Sequence, residues 1–394
     1  MRIGIASDLH FGYAWGTERQ EDSFTQAAEA INDCLKADVL LLPGDLFDSR
    51  IPRQEVMDKA MRIIGTASEK QSQAKVESFR SGRAVPSVTG TPVIAIHGTH
   101  ERRATGLTNP VQLLEAAGLC IALHNDAVVL TRNGERVAIH GMGGVPEQYA
   151  PTVLKECAFK PLPGITNILV MHQSFREYVY EDAAFLSMDD LPPGFDLYVN
   201  GHVHWSDIKE KNGRTMLHPG STILTQMRKV EAEQPKRAWF YDTETKSLTS
   251  QDLATPRKFY YLELEASGAP ADIMAKARQM LSKVPTSNPK PLVKLKLSGS
   301  LPPGASIDLS SLVRGSEALV SIDSSLEAAQ FRRNIEILRQ DQARKSIDEI
   351  GLSLLQNNLD QANYSGPSAM ELLPLLSSGS DEEVSKLFRR GRSP

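Results

Sequence analysis

Short aliphatic or β-branched runs at 2–6, 39–42, 92–96, 165–171 and 195–200 punctuate the first 255 residues of the chain. Between them lie stretches such as 21–35 and 54–64, whose apolar residues recur three to four apart. Strand-length runs alternating with amphipathic helical segments predict a layered α/β domain rather than a bundle or an all-strand sandwich. Asn133-Gly134 and Asn212-Gly213 each separate two strand-like segments, which predicts tight hairpins. Crossover units joined by hairpins imply mixed sheets.

The 394 residues are 41% hydrophobic and 23% charged, the balance of a folded protein with a sizeable core. That length exceeds one ordinary core, so more than one domain is expected. The texture changes near Thr255-Pro256. Residues 256–325 read as a small α+β unit: a strand at 258–265, a helix at 270–284 and a strand at 292–297. From Leu326 to the end the pattern reads as helical, with Phe331, Ile335 and Leu338 on one face. Two capping boxes follow, Ser368 with Glu371 and Ser380 with Glu383. The second opens a short segment with an apolar stripe of Val384, Leu387 and Phe388, which either folds back or docks in a partner's groove.

No run of about 18 apolar residues is present, so no membrane-spanning helix is expected. The opening MRIGIASDLH lacks a signal peptide's apolar core and reads as a buried strand. Cys34, Cys120 and Cys157 stand in unrelated contexts, which suits a reducing compartment and buried thiols rather than disulfides or a thiolate metal site. The net charge is −4, divided as −6 over residues 1–255 and +2 over 256–394. Neither part is basic enough to announce nucleic acid by bulk charge, so a polyanionic partner must be met by local sites.

Each of five motifs follows an aliphatic run: Asp8-Leu9-His10, Gly44-Asp45-Leu46-Phe47-Asp48, Gly98-Thr99-His100-Glu101, Met171-His172-Gln173 and Gly201-His202-Val203-His204. In open α/β sheets the functional crevice lies beyond the carboxyl ends of the strands, so the motifs converge on one edge. They supply Asp and His without Cys, which suits hard or borderline divalent ions. Asp8 and His10, two apart on an extended chain, would face the same way, and His202 and His204 would repeat the device. A carboxylate such as Asp45 can bridge two metals, and a pair of cations roughly 3.5–4 Å apart can activate water and neutralise charge on a phosphoryl group. His97, His124, His140 and His218 read as satisfied core or near-core residues.

These motifs resemble those of the calcineurin-like metallophosphoesterases: D-x-H, G-D-x-x-D, G-N-H-[DE], H and G-H-x-H. Gly44-Asp45-Leu46-Phe47, Met171-His172-Gln173 and His218-Pro219-Gly220-Ser221-Thr222 are most similar to the nuclease subunits of double-strand-break repair complexes. The resemblance is carried by motifs over 1–245 and by domain order alone beyond. It implies a four-layer α/β sandwich of mixed sheets flanked by helices, a small capping domain at 256–325 that binds DNA, and a helical C-terminal region at 326–394. It further implies that Asp8, His10, Asp45 and His204 hold one metal, and that Asp45, His172 and His202 hold a second, with residue 99 completing it. His100 would be the acid or orienting group at the scissile phosphate, and Asp48 would orient a ligand. One position departs from the family pattern and another from the narrower group. Thr99 stands where the family carries Asn, and many relatives in the narrower group carry His where this chain has Asp48.

Arg50, Arg53, Arg102, Arg103 and Arg176 flank the motifs and suit contacts with DNA phosphates. The implied reading is a two-metal, Mn2+-dependent phosphodiesterase with 3′→5′ exonuclease and single-strand endonuclease activity on DNA ends. It would be a cytoplasmic, nucleoid-associated homodimer whose tail binds a coiled-coil, SMC-like ATPase. Two other readings stand beside it: a phosphoesterase of small phosphodiesters, and a DNA-binding scaffold weakened by Thr99.

Overall fold

The computed structural model describes residues 1–328 (without 105, 180–185, 303–304 and 315), together with four positions between 351 and 360 and residues 368–377. The chain divides into two compact units, Met1–Phe259 and Tyr260–Pro394.

In the first unit, two sheets are built from the described residues. One holds β1 (Arg2–Ile5), β2 (Val39–Leu42), β4 (Val93–Ala95), β5 (Ile121–Ala122), β12 (Arg237–Asp242) and β13 (Ser247–Asp252), in the order β13-β12-β1-β2-β4-β5. The other holds β3 (Lys75–Phe79), β6 (Asp126–Arg132), β7 (Glu135–Met142), β8 (Thr166–Met171), β9 (Leu197–Asn200), β10 (Asp207–Lys211) and β11 (Arg214–His218), in the order β10-β11-β9-β8-β7-β6-β3. β1, β2 and β4 run parallel side by side, as do β7, β8 and β9. The hairpins close at Asn133-Gly134 and Asn212-Gly213, with all four residues at positive φ as their turns require.

Four layers result. Alternate residues of each strand serve opposite faces. Ile3, Ile5, Leu41 and Ile94 meet Val128, Ile139, Val170 and Val199 between the sheets. On the outer face of the first sheet, Leu40 and Leu42 pack on α1 (Asp22–Cys34) and α2 (Gln54–Gly65) through Ile31, Val56 and Ile64. Leu169, Met171 and Tyr198 on the outer face of the second sheet pack with Leu154 of α4 (Ala150–Cys157). Two shorter helices, α3 (Pro110–Ala116) and α5 (Lys229–Glu233), complete this unit. Strands buried on both faces need continuous apolar runs, which is why β2 reads Val-Leu-Leu-Leu.

The second unit contains a three-stranded sheet of β14 (Phe259–Ala266), β15 (Leu292–Leu301) and β16 (Leu319–Ala328) with α6 (Pro270–Leu281) and the short α7 (Ser310–Val313). Ala277, Leu295, Leu297 and Leu312 form its core. The helical pattern expected from Leu326 onward is corrected for Leu326–Ala328 alone, where β16 continues in parallel register with β15. Ile322 and Leu326, four apart, lie on one face of a strand as readily as on a helix, and both pack on that core. The capping box at Ser368 opens α8 (Ala369–Ser377), with the Ser368 N–H and hydroxyl both donating to Glu371 at 2.8 Å. The stripe around Phe331, Ile335 and Leu338, the box at Ser380 and Glu383, and the tail segment after it lie outside the described residues.

Candidate metal centre

All five motifs emerge at the carboxyl ends of parallel strands. Asp8 and His10 follow β1, Asp45 follows β2, and Thr99 and His100 follow β4; His172 follows β8, and His202 and His204 follow β9. The loops are laced together by backbone bonds. The Asp8 N–H donates to the Gly44 carbonyl at 3.2 Å, and the His10 N–H to that of Asp45 at 3.0 Å. The Glu101 carboxylate accepts the N–H of Phe47 at 2.8 Å and that of Gly98 at 2.7 Å, tying the second loop to the third. A side chain at Gly98 has no room, because a Cβ there would lie 2.1 Å from Asp45 Oδ1.

The backbone here is not the extended chain expected for Asp8 and His10. Asp8 (φ 51°), His10 (47°), Asp45 (47°) and His202 (73°) all adopt left-handed conformations. Non-glycine residues in that region cost free energy and concentrate at functional sites. Four such residues on three loops turn their side chains inward toward one point.

Three groups of ligand atoms form, each mutually within 4.8 Å: Asp8, His10 and His204; Asp45, His172 and His202; and His10, Asp48 and His100. His10 and His204 bring their Nε2 atoms to 3.3 Å, and His172 Nε2 lies 3.1 Å from Asp45 Oδ2 and 4.0 Å from Asp8 Oδ1. Two of the opposite ring nitrogens are hydrogen-bonded from behind, and that of His10 faces a carboxylate. His172 Nδ1 donates to the Pro43 carbonyl at 2.8 Å, His204 Nδ1 lies 2.7 Å from the Thr225 hydroxyl, and His10 Nδ1 lies 3.3 Å from the Asp48 carboxylate. His172 Nε2 is buried without a hydrogen-bond partner among the described residues. Buried nitrogens turned toward carboxylates, with their rings fixed from the far side, fit divalent cations.

Asp8 and Asp45 are fully buried. Burial alone would raise Asp45, but His172, then His10 and His100, hold it well below the usual carboxylate range. Burial would likewise lower His172, yet Asp45 and Asp8 outweigh it and hold the imidazole at about 10. Burial, reinforced by neighbouring positive charge, lowers His202 to about 4 and His204 well below its ordinary value, which leaves both rings neutral.

Thr99 donates its hydroxyl to Asp45 Oδ2 at 3.3 Å, and the His100 N–H bonds Asp45 Oδ1 at 2.8 Å. The His100 ring is half-exposed, with Nδ1 3.1 Å from the Asp48 carbonyl. An open cleft of about 620 Å3 there is lined by Asp48, Ser49, Arg50, Ile51, Thr99, His100 and Arg102. Arg103 Nη1 reaches the Arg50 carbonyl at 3.5 Å. Arg53 stands at the start of α2 and Arg176 on the loop after β8, and neither lines this cleft.

Several contributors were invisible to motif reading. Glu101 belonged to a motif without a role; burial and nearby Asp45 push it up to about 8 against its two backbone donors. Buried Lys236 donates to the His204 carbonyl at 2.8 Å, Ser221 Oγ at 2.9 Å and Glu231 at 2.7 Å, bracing the last loop. His218 is buried beside Asn200 and Tyr178, outside the ligand groups.

A family model described as calcineurin-like phosphoesterase matches residues 1–206. The DNA double-strand break repair protein Mre11 of Methanopyrus kandleri is 27% identical over 263 residues, 62% of this chain and 54% of that protein. The double-strand break repair protein mus-23 of Neurospora crassa is 25% identical over 275 residues, 59% of this chain and 36% of that protein. Mre11 of Thermoplasma acidophilum is 26% identical over 312 residues, 75% of this chain and 76% of that protein. The chain spans about half the length of the first of these relatives. With the family model covering more than half of its length and the Asp and His motifs gathered at one sheet edge, the chain belongs to the calcineurin-like phosphoesterase family.

Proposed function

We propose that the chain is a Mn2+-dependent DNA phosphodiesterase, the nuclease subunit of a double-strand-break repair complex. The observation that carries this reading is the pair of ligand groups sharing one buried edge, in a chain whose relatives are named for double-strand break repair. Asp8, His10, Asp45 and His204 would hold one ion, and Asp45, His172 and His202 the other, with Thr99 at its edge. Bound divalent ions would supply the positive charge that activates water and stabilises a phosphoryl group under attack.

The chain's own residues do the rest. His100 protonates the leaving oxygen from Nε2, its ring held by Nδ1 on the Asp48 carbonyl. Asp48 also orients His10 through its carboxylate. Arg50 and Arg102 line the cleft beside His100 and bind backbone phosphates, which gives affinity without sequence readout. Arg53, Arg103 and Arg176 extend that surface.

Under this reading residues 1–255 form the nuclease domain, 256–325 cap it and bind duplex ends, and 326–394 carry the tether to a coiled-coil ATPase. The chain would work as a homodimer near the nucleoid, with 3′→5′ exonuclease and single-strand endonuclease activity. No helix among the described residues is long and apolar enough to cross a membrane. The test is degradation of linear duplex DNA by the purified protein with Mn2+ and without it. Degradation that needs Mn2+ and is lost in His100→Ala supports the reading; intact DNA alongside consumed cyclic nucleotides overturns it in favour of a small-diester phosphoesterase.

A further inference from the structure

Unlike the other three imidazoles, His202 is held from behind by Nε2. Its Nε2 lies 2.9 Å from the Ser174 hydroxyl, and that hydroxyl lies 2.8 Å from Glu147 Oε1. Ser174 is buried on the segment after His172, and Glu147 begins a turn after β7. The segment is fixed independently: the Gln173 N–H donates to Asn200 Oδ1 at 3.0 Å, and Asn200 Nδ2 donates to the Gln173 carbonyl at 2.9 Å.

A serine hydroxyl carries one proton, and an ionised carboxylate only accepts, as Glu147 Oε1 does from Ser174 here. The Ser174 proton is therefore committed to Glu147, so its oxygen must accept from His202. That requires His202 to carry its proton on Nε2 and leaves the Nδ1 lone pair free to serve the group that the ring forms with Asp45 and His172. We propose that Glu147 and Ser174 are positioning residues that fix His202 in the Nε2–H tautomer, presenting Nδ1 to the ion of the Asp45–His172–His202 group. The proposal rests on the metal-centre reading above and adds two residues that touch neither ion nor substrate. Carboxylates and hydroxyls behind ligating histidines tune affinity in this way.

The experiment uses the full-length protein with 15N-labelled histidine. The imidazole nitrogen shifts of His202, assigned by its loss in His202→Gln, report its tautomer in the metal-free protein; Mn2+ titration by calorimetry then resolves the two sites. The expected wild-type tautomer is Nε2–H. Glu147→Leu frees the Ser174 proton to donate to Nε2 and should shift His202 toward Nδ1–H, although the hydroxyl is retained. Ser174→Ala should weaken one Mn2+ by about 10- to 100-fold and leave the other unchanged, and Ser174→Thr should restore it.

An Nδ1–H tautomer in the wild type overturns the proposal, as does equal weakening, or none, of the two ions in Ser174→Ala. Should either variant fail to fold, the wild-type tautomer still decides. A protein that binds no Mn2+ refutes the metal-centre reading by itself, whereas the tautomer separately tests the relay from Glu147 through Ser174.

Discussion

His172 turns Nε2 to within 3.1 Å of the Asp45 carboxylate while its Nδ1 is anchored on the Pro43 carbonyl at 2.8 Å. One residue comes from each sheet, so this pair joins the two halves of the centre. A His172→Ala variant removes a proposed ligand and the counter-charge that holds Asp45 ionised. Mn2+ affinity at that site should fall by at least the roughly 10- to 100-fold that loss of an outer partner costs. Calorimetric titration checks it, and unchanged affinity would exclude His172 from the site.

Thr99 offers a hydroxyl where the family pattern carries an amide oxygen, and it spends that hydroxyl on Asp45. Thr99→Asn should therefore tighten the ion of the Asp45–His172–His202 group several-fold and raise turnover on DNA. Steady-state rates across a Mn2+ series measure both. A variant no better than wild type in either would show that Thr99 does not limit the second site.

Glu101 is fully buried and accepts two backbone N–H groups from two different loops. In Glu101→Gln the amide group faces one of those donors, leaving it unsatisfied at a cost of roughly 1–3 kcal/mol. Urea unfolding should record that loss, together with weaker Mn2+ binding as the loops bearing Asp45 and His100 drift apart.

The five Asp and His motifs were legible because their residue types are chemically rare in combination and each follows a strand. The layered fold was legible from the β2 run and the amphipathic α1 and α2 segments. What escaped reading has physical causes. The left-handed turns at Asp8 and His10 are imposed by loop lacing, not by local preference. Glu147 reaches Ser174, and Ser174 reaches His202, only through tertiary packing, and no spacing announces either contact. Leu326 misled because a parallel strand and a helix share its short apolar signal, and β15 supplied the partner that decided between them.

Fully buried His140 sits between Phe159 and Phe195, with Nε2 donating to Asn167 Oδ1 at 3.2 Å. Burial lowers it to about 4 from an ordinary 6.5. The folded state thus holds it neutral, while the unfolded chain takes up a proton below pH 6.5. Its contribution is complete above that pH and is lost as pH falls from 6.5 toward 4, reaching roughly 3 kcal/mol at 1.36 kcal/mol per unit. His140→Phe should be somewhat less stable than wild type at pH 7.5, yet its urea midpoint should fall less between pH 7.5 and 4.5. Parallel curves for the two proteins would remove His140 from the acid response.

Anomalous scattering from crystals grown with Mn2+ tests the central claim most directly. Two peaks are predicted, one among Asp8, His10, Asp45 and His204 and one among Asp45, His172 and His202. Peaks absent from that edge, in a crystal whose Asp8, Asp45, His172 and His204 side chains are ordered, would contradict the two-ion account.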